Sequence, residues 1–188
     1  SNFEKDPKEI WKKFSENYYL FRGTPTAMWL DYSFEKVFGI TKLLSPATSD
    51  FYYNHIEEKL SQPEYLPRAL FDSFNIEVLS TTDSAISDLS QHIEIKNSNW
   101  DGRIIPTYRP DSVVDPQSLD FKNNLVKLGE LANEDTNSWD GYLKAHRSRR
   151  LFFKEMGATA TDHGHPSART ENLSHHEAEQ LYKRVFAE

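Results

Sequence analysis

Three stretches of the chain share one pattern, apolar or β-branched at the start and ionisable at the end. They are Ile76-Glu-Val-Leu-Ser-Thr-Thr-Asp83, Arg103-Ile-Ile-Pro-Thr-Tyr-Arg-Pro-Asp111 and Gly157-Ala-Thr-Ala-Thr-Asp-His-Gly-His-Pro166. A buried parallel strand that delivers polar groups to its C-terminal end reads this way, and a helix-like segment follows each stretch. Repetition of strand and helix favours right-handed parallel crossovers, so the expected fold class is α/β, with about three parallel strands and flanking helices. Ligands of such folds collect at the carboxyl ends of the strands, which puts Asp83, Arg109, Asp111, Asp162, His163 and His165 first among the candidate site residues.

The chain before the first of these stretches is helical and rich in aromatics. Asp6-Pro7 supplies a cap and a first-turn proline, and Ile10, Trp11 and Phe14 are spaced to share a core face. From Thr26 a second helix runs through Met28, Trp29, Tyr32, Phe34, Val37 and Phe38 to a stop at Gly39, and almost every position is expected to pack. Ser45-Pro-Ala-Thr48 and Pro67 open two further helices. Arg22, set among aromatics, fits either an anion clamp or a surface arginine stacked on Tyr19 or Phe21. We place the internal boundary near Asn75, with a helical segment over 1–75 and strand-helix units over 76–188. No Gly/Ser-rich tract separates them.

Past that boundary a helix is expected from Asp83, with Ile86, Leu89 and Ile93 inward and His92 on its surface. Leu119, Leu125, Leu128 and Leu131 offer a core face to the next helix. Ser138 and Gly157 bracket a long one, and Ser174 with Glu177 forms a capping-box pair for the last.

The net charge of −7 argues against a nucleic-acid or anionic-membrane partner, because neither polyanion gains by releasing counterions to an acidic surface. The basic run Arg147-Ser-Arg-Arg150 does not share one helix face and reads as solvated surface. Cysteine is absent, which excludes disulfides and thiolate metal sites and fits a cytoplasmic protein. No leader or long apolar span is visible. Ser1-Asn2 reads as an expression remnant, leaving open how the native chain begins.

Two constellations carry the chemistry. Arg109, at a strand end between Tyr108 and Pro110, offers a planar fork for an anionic substrate group, or an internal ion pair with Asp111 or Asp83. Asp162, beside a histidine at the end of an apolar run, is placed to serve as a general base or to stay ionised and structural. His163 and His165 have alternate spacing and would share one side of a strand, where a divalent ion needs at least a third ligand. Gly164 and Pro166 break that alternation, so the histidines equally serve to orient loops by hydrogen bonding.

Several stretches together resemble the uronate isomerases, the glucuronate isomerase group of the amidohydrolase superfamily. They are Phe21-Arg-Gly-Thr-Pro25, Trp29-Leu-Asp31, Val37-Phe-Gly39, Ser80-Thr-Thr-Asp83, Thr107-Tyr-Arg-Pro-Asp111 and Gly157-Ala-Thr-Ala-Thr-Asp-His-Gly164, in the family's order. The resemblance implies an aldose-ketose isomerisation of hexuronates, such as D-glucuronate to D-fructuronate, in a (β/α)8 barrel with a helical insertion. It implies zinc in the complete enzyme, Arg109 as a substrate contact and Asp162 as an active-site acid, with His163 beside it. Arg22 and Asp111 join the expected substrate-binding set. The family's own metal-binding His-x-His lies upstream of the insertion, so His163-Gly-His165 does not inherit that role.

On this resemblance the chain is a middle section, the end of the helical insertion followed by a partial (β/α) barrel. It is expected to hold substrate-binding elements without the full catalytic set. Two other readings stand beside it: a non-catalytic anion-binding or interaction module that self-associates into a homo-oligomer to cover its strand edges, and a metal-dependent hydrolase using His163 and His165.

Overall fold

In a computed structural model, which describes residues 3–165, 167 and 169–187, the chain divides into two units, Ser1–Asn75 and Ile76–Glu188. The readings made for Ser1-Asn2 and for Pro166 lie outside the described residues.

The first unit starts with α1 (Pro7–Asn17), where the Asp6 carboxylate accepts from the Lys8 amide at 2.8 Å and the Glu9 amide at 3.4 Å. Thr24, rather than Thr26, caps α2 (Pro25–Tyr32), which widens into a π-turn over Ser33–Val37 and stops at Gly39. A Ser45/Thr48 capping box leads into α3 (Ser49–Leu60), and α4 (Pro67–Ser73) follows. Phe34, Ile40, Leu44 and Tyr52 form the core, with Trp11 and Phe14 packed against it and the Trp11 Nε1–H bonded to the Ser49 carbonyl at 3.0 Å.

Ile10 points largely outward, and so do Met28, Trp29 and Tyr32, each more than 60% exposed, against the expectation that they pack. The second helix is apolar all round, and periodicity alone does not say which side faces inward; Ala27, Leu30 and Phe34 take the buried side.

In the second unit, β1 (Leu79–Ser84) crosses over through α5 (Ser90–Lys96) to β2 (Ile104–Arg109). The two strands pair in parallel, in a register from Leu79↔Ile104 to Ser84↔Arg109. Asp83 and Ser84 still belong to the strand, so the helix begins later than expected, after Leu89 turns the chain at a φ of 54°. Next come α6 (Asp111–Val114), α7 (Phe121–Ala132), α8 (Trp139–Glu155) and α9 (His175–Ala187). Ser138 caps α8 by accepting from the Gly141 amide, and Ser174 and Glu177 exchange the reciprocal bonds of a capping box. The core gathers Leu89, Tyr108, Val113, Leu125, Leu128 and Phe153, while Leu119 is 88% exposed and joins no core face.

The third expected strand is a correction. Among the described residues the sheet has two strands, and the third ribbon touches it through a single parallel bridge, Tyr108↔Thr161. Thr159, Ala160 and Thr161 are exposed, not buried. The ribbon is short because Gly157, at a φ of 101°, ends the preceding helical turn and the chain is already bonding Asp111 by Gly164. That leaves one pair of hydrogen bonds, Tyr108 N–H to the Ala160 carbonyl at 3.4 Å and Asp162 N–H to the Tyr108 carbonyl at 3.0 Å. A parallel pair with flanking helices is the architecture of the described residues.

Helix α8 overturns a further expectation about polar residues. Arg147 and Arg150 are solvated, but Arg149 is buried and donates to the Ala85 carbonyl at 3.0 Å and the Ser87 carbonyl at 2.5 Å. One turn away, buried His146 pairs its Nδ1 with the Tyr108 phenol, 2.8 Å away, and its ring stands edge-on to Tyr142. The last of the corrected residues is His92 of α5, also buried, its Nε2 2.8 Å from the Thr81 hydroxyl.

Burial pushes the His146 imidazole down to about 4, and the nearby Arg150 adds to the effect. A free histidine titrates at about 6.5, so the unfolded chain takes up this proton first as pH falls. The stability contribution is therefore complete above about pH 6.5 and lost on descent to about pH 4, amounting to roughly 3 kcal/mol. Urea titrations between those limits should show the wild-type midpoint falling with pH and a much flatter dependence in His146→Phe; equal slopes would contradict the assignment.

Candidate functional site

The end of β2 supplies the centre of the site. Arg109 is its last residue, half-exposed, and Pro110 turns the chain so that Asp111 opens α6 beside it. Arg109 Nε donates to Asp111 Oδ2 at 2.6 Å, and Arg109 Nη1 lies 3.2 Å from Asp162 Oδ2. The Gly164 amide donates to both Asp111 oxygens, at 3.1 and 3.0 Å. The backbone approaches closely there: a Cβ at Gly164 would come within 2.7 Å of Asp111 Oδ2 and 2.8 Å of Arg109 Nη2, so a larger residue would push those side-chain ends aside. One cation thus ties together the strand end, the first turn of α6 and the 162–164 loop.

The other candidates fall into place around this cluster. His163 Nε2 lies 3.1 Å from the Thr161 hydroxyl, and its ring stacks on His165 with centroids 5.0 Å apart and planes 20° apart. Imidazole lone pairs lie in the ring plane, so two stacked rings do not converge on one ion. Among the described residues, no group of three or more histidine, cysteine, aspartate or glutamate side chains is placed to hold a metal. Asp83 does not join Arg109. It pairs with Tyr108 in the register and so lies on the other face of the sheet, where Thr81 donates to it at 2.7 Å and His92 stands 3.7 Å away. Arg22, exposed in the first unit, makes no side-chain ion pair among the described residues.

The sequence reading missed three contributors. The Gly164 amide is one: in the sequence the residue reads as a strand terminator, and a glycine directly after Asp-His also allows close backbone approach. Ser84 and Ser112 join hydroxyls at 3.1 Å beneath Arg109, on the face that alternation assigns to both Ser84 and its register partner. His146 was hidden in a helix whose buried stripe, Tyr142, His146, Arg149 and Phe153, is spaced at helical intervals.

A parallel α/β unit thus presents a cation and two carboxylates at its strand ends, the edge at which ligands of such folds collect. The family model for glucuronate isomerase matches residues 4–188, and the chain belongs to that family. It is 54% identical over 185 residues to the uronate isomerase of Rhizobium meliloti, covering 98% of this chain and 39% of that relative. It is 51% identical over 191 residues to the uronate isomerase of Sphingopyxis alaskensis, covering 100% of this chain and 41% of the relative. Among solved structures, glucuronate isomerase from Caulobacter crescentus superposes with a TM-score of 0.93 at 42% identity, over 98% of this chain and 38% of that one. Uronate isomerase from Thermotoga maritima gives 0.89 at 29% identity, over 98% and 40%. The chain thus spans about two fifths of the length of the relatives it matches. No described helix is long and apolar enough to cross a membrane.

Hydrogen bonding from Arg109 holds the Asp111 carboxyl below the ordinary aspartate range against the opposing effect of partial burial, and the Gly164 amide adds to the lowering. The associated stability is present above about pH 3.9, the unfolded value, and is lost only as pH falls through the lower folded one. Carbonyl-detected NMR titration should place the Asp111 midpoint below that of an ordinary aspartate and move it upward in Arg109→Gln. An Asp111 midpoint that is the same in both proteins would contradict the pairing.

Proposed function

We propose that this chain forms part of a uronate isomerase that interconverts aldohexuronates and ketohexuronates, such as D-glucuronate and D-fructuronate, and that it is incomplete for turnover by itself. The carrying observation is the shared guanidinium of Arg109, read together with membership of the glucuronate isomerase family. Arg109 commits Nε to Asp111, which leaves its two terminal nitrogens to Asp162 and an incoming carboxylate. A substrate carboxylate that binds there competes with Asp162 and frees its lone pairs. Asp162 then takes the proton from the carbon next to the carbonyl, and the same proton returns to the neighbouring carbon, so that aldehyde and hydroxyl exchange places without net gain or loss of atoms. His163 moves protons between the oxygens, and Asp111 holds Arg109 in place. Arg22 is proposed as a further anion contact from the resemblance of its motif alone.

Zinc belongs to this reading only for the complete enzyme. The described residues do not fit it, since the His163 and His165 rings stack and no third ligand joins them, and no step is routed through a metal. The same ring arrangement disfavours a hydrolase built on these two histidines. We further propose that the protein works in the cytoplasm and associates with copies of itself.

Calorimetry with D-glucuronate, D-galacturonate and uncharged D-glucose tests the carboxylate site. The chain is expected to bind the uronates in preference to glucose, to lose at least about tenfold in affinity in Arg109→Met, and to show no isomerisation. Equal binding of glucose, or unchanged uronate binding in the variant, would refute the role of Arg109; robust turnover would refute incompleteness.

A further inference from the structure

The inward stripe of α8 reaches the two loops that follow the strands. Tyr142 donates its hydroxyl to the Val113 carbonyl at 3.0 Å, and Arg149 donates to Ala85 and Ser87. Between them, His146 reaches the strand itself, and the residue it meets is Tyr108. Tyr108 has an unusual share of the site's geometry. It is joined by one peptide bond to Arg109, and among the described residues its backbone makes the one bridge between β2 and the ribbon that ends in Asp162. Arg109 and Asp162 thus hang from the two sides of one residue, whose ring is packed edge-on against Phe153 at 5.0 Å and whose hydroxyl, among the described residues, bonds His146 Nδ1.

His146 is an expensive residue to put there. It is 7% exposed, and its Nε2 has no hydrogen-bond partner among the described residues. An unpaired buried nitrogen lowers stability, and an apolar side chain of similar shape would not incur that loss. A core position occupied by a histidine that uses only one of its two nitrogens points to a demand for the bond that nitrogen makes.

We propose that His146 is a positioning residue of the carboxylate site: through the Tyr108 hydroxyl it fixes the strand end from which both Arg109 and Asp162 are placed. The proposal rests on the reading of those two residues as the substrate-binding and acid-base groups. His146 touches neither of them and acts through Tyr108 alone. Tyr142 and Arg149, on either side of it in the stripe, bond loops instead, at α6 and at the turn after β1.

The test compares His146→Phe, which keeps a ring and removes the bond, with His146→Asn, whose amide stands where Nδ1 stood. Tyr108→Phe removes the bond from the other side. Amide hydrogen exchange of the 188-residue chain is read at Asp162, which bonds the Tyr108 carbonyl, and at Leu125 in α7 as a reporter of global opening. In His146→Phe and Tyr108→Phe, exchange at Asp162 is expected to rise about tenfold more than at Leu125, and D-glucuronate binding to fall. His146→Asn is expected to restore both. The proposal is overturned if Asp162 and Leu125 change in step, if Asn behaves like Phe, or if uronate binding stays at the wild-type level while Asp162 loosens. Failure of the wild-type chain to bind D-glucuronate, with the exchange response intact, would instead strike the substrate reading and leave the placement of Asp162 by His146 standing.

Discussion

A single guanidinium shared between two carboxylates is the interaction on which this site depends. Asp111 and Asp162 come from different segments, and without Arg109 between them they would repel. Exposed ion pairs are individually weak, because water screens them and long side chains lose freedom in forming them. The pairs here are built on restrained backbone. Asp111 opens a helix directly after a proline, both of its oxygens meet the Gly164 amide, and the amide of Asp162 is itself tied to β2. Much of the ordering is therefore done by the fold, which lets a partly solvated cluster keep one geometry.

That geometry is secured from behind by α8. Its buried stripe replaces the uniform apolar surface usual for a helix on a sheet with a phenol, an imidazole and a guanidinium, each reaching a polar group at or just beyond a strand end. The apolar part of the packing, Leu125, Leu128 and Phe153, supplies burial, and the polar part supplies register. An acidic, cysteine-free chain has neither a disulfide nor a thiolate site with which to brace such loops, and α8 bonds them directly.

Features set by local chemistry were legible in the sequence. Asp6 before Pro7, Ser138 before α8 and the Ser174/Glu177 pair act within three residues of themselves, and each does in the structure what its spacing predicts. The strand at Ile104–Arg109 and the proximity of Arg109 to Asp111 were legible for the same reason. Features decided by distant segments were not. Nothing near His92 or Arg149 in sequence says that Thr81 or the Ala85 carbonyl will cover them, and a charged or titratable residue on a helix is by default assigned to water. Met28, Trp29 and Leu119 failed in the opposite sense, since apolar side chains were assumed to be covered. The third ribbon brings Asp162 to Arg109 but has only one bridge's length in which to pair. Its sequence pattern anticipated the meeting of Asp162 with Arg109 better than it anticipated the ladder.

The most direct measurement is a crystal structure of the chain with D-glucuronate bound. The account predicts the sugar carboxylate within about 3 Å of the terminal nitrogens of Arg109, with Asp162 beside the carbon chain and Asp111 still on Nε. A structure in which Arg109 and Asp162 stand apart, or in which the carboxylate is held elsewhere while Arg109 stays sealed by its two aspartates, would contradict it.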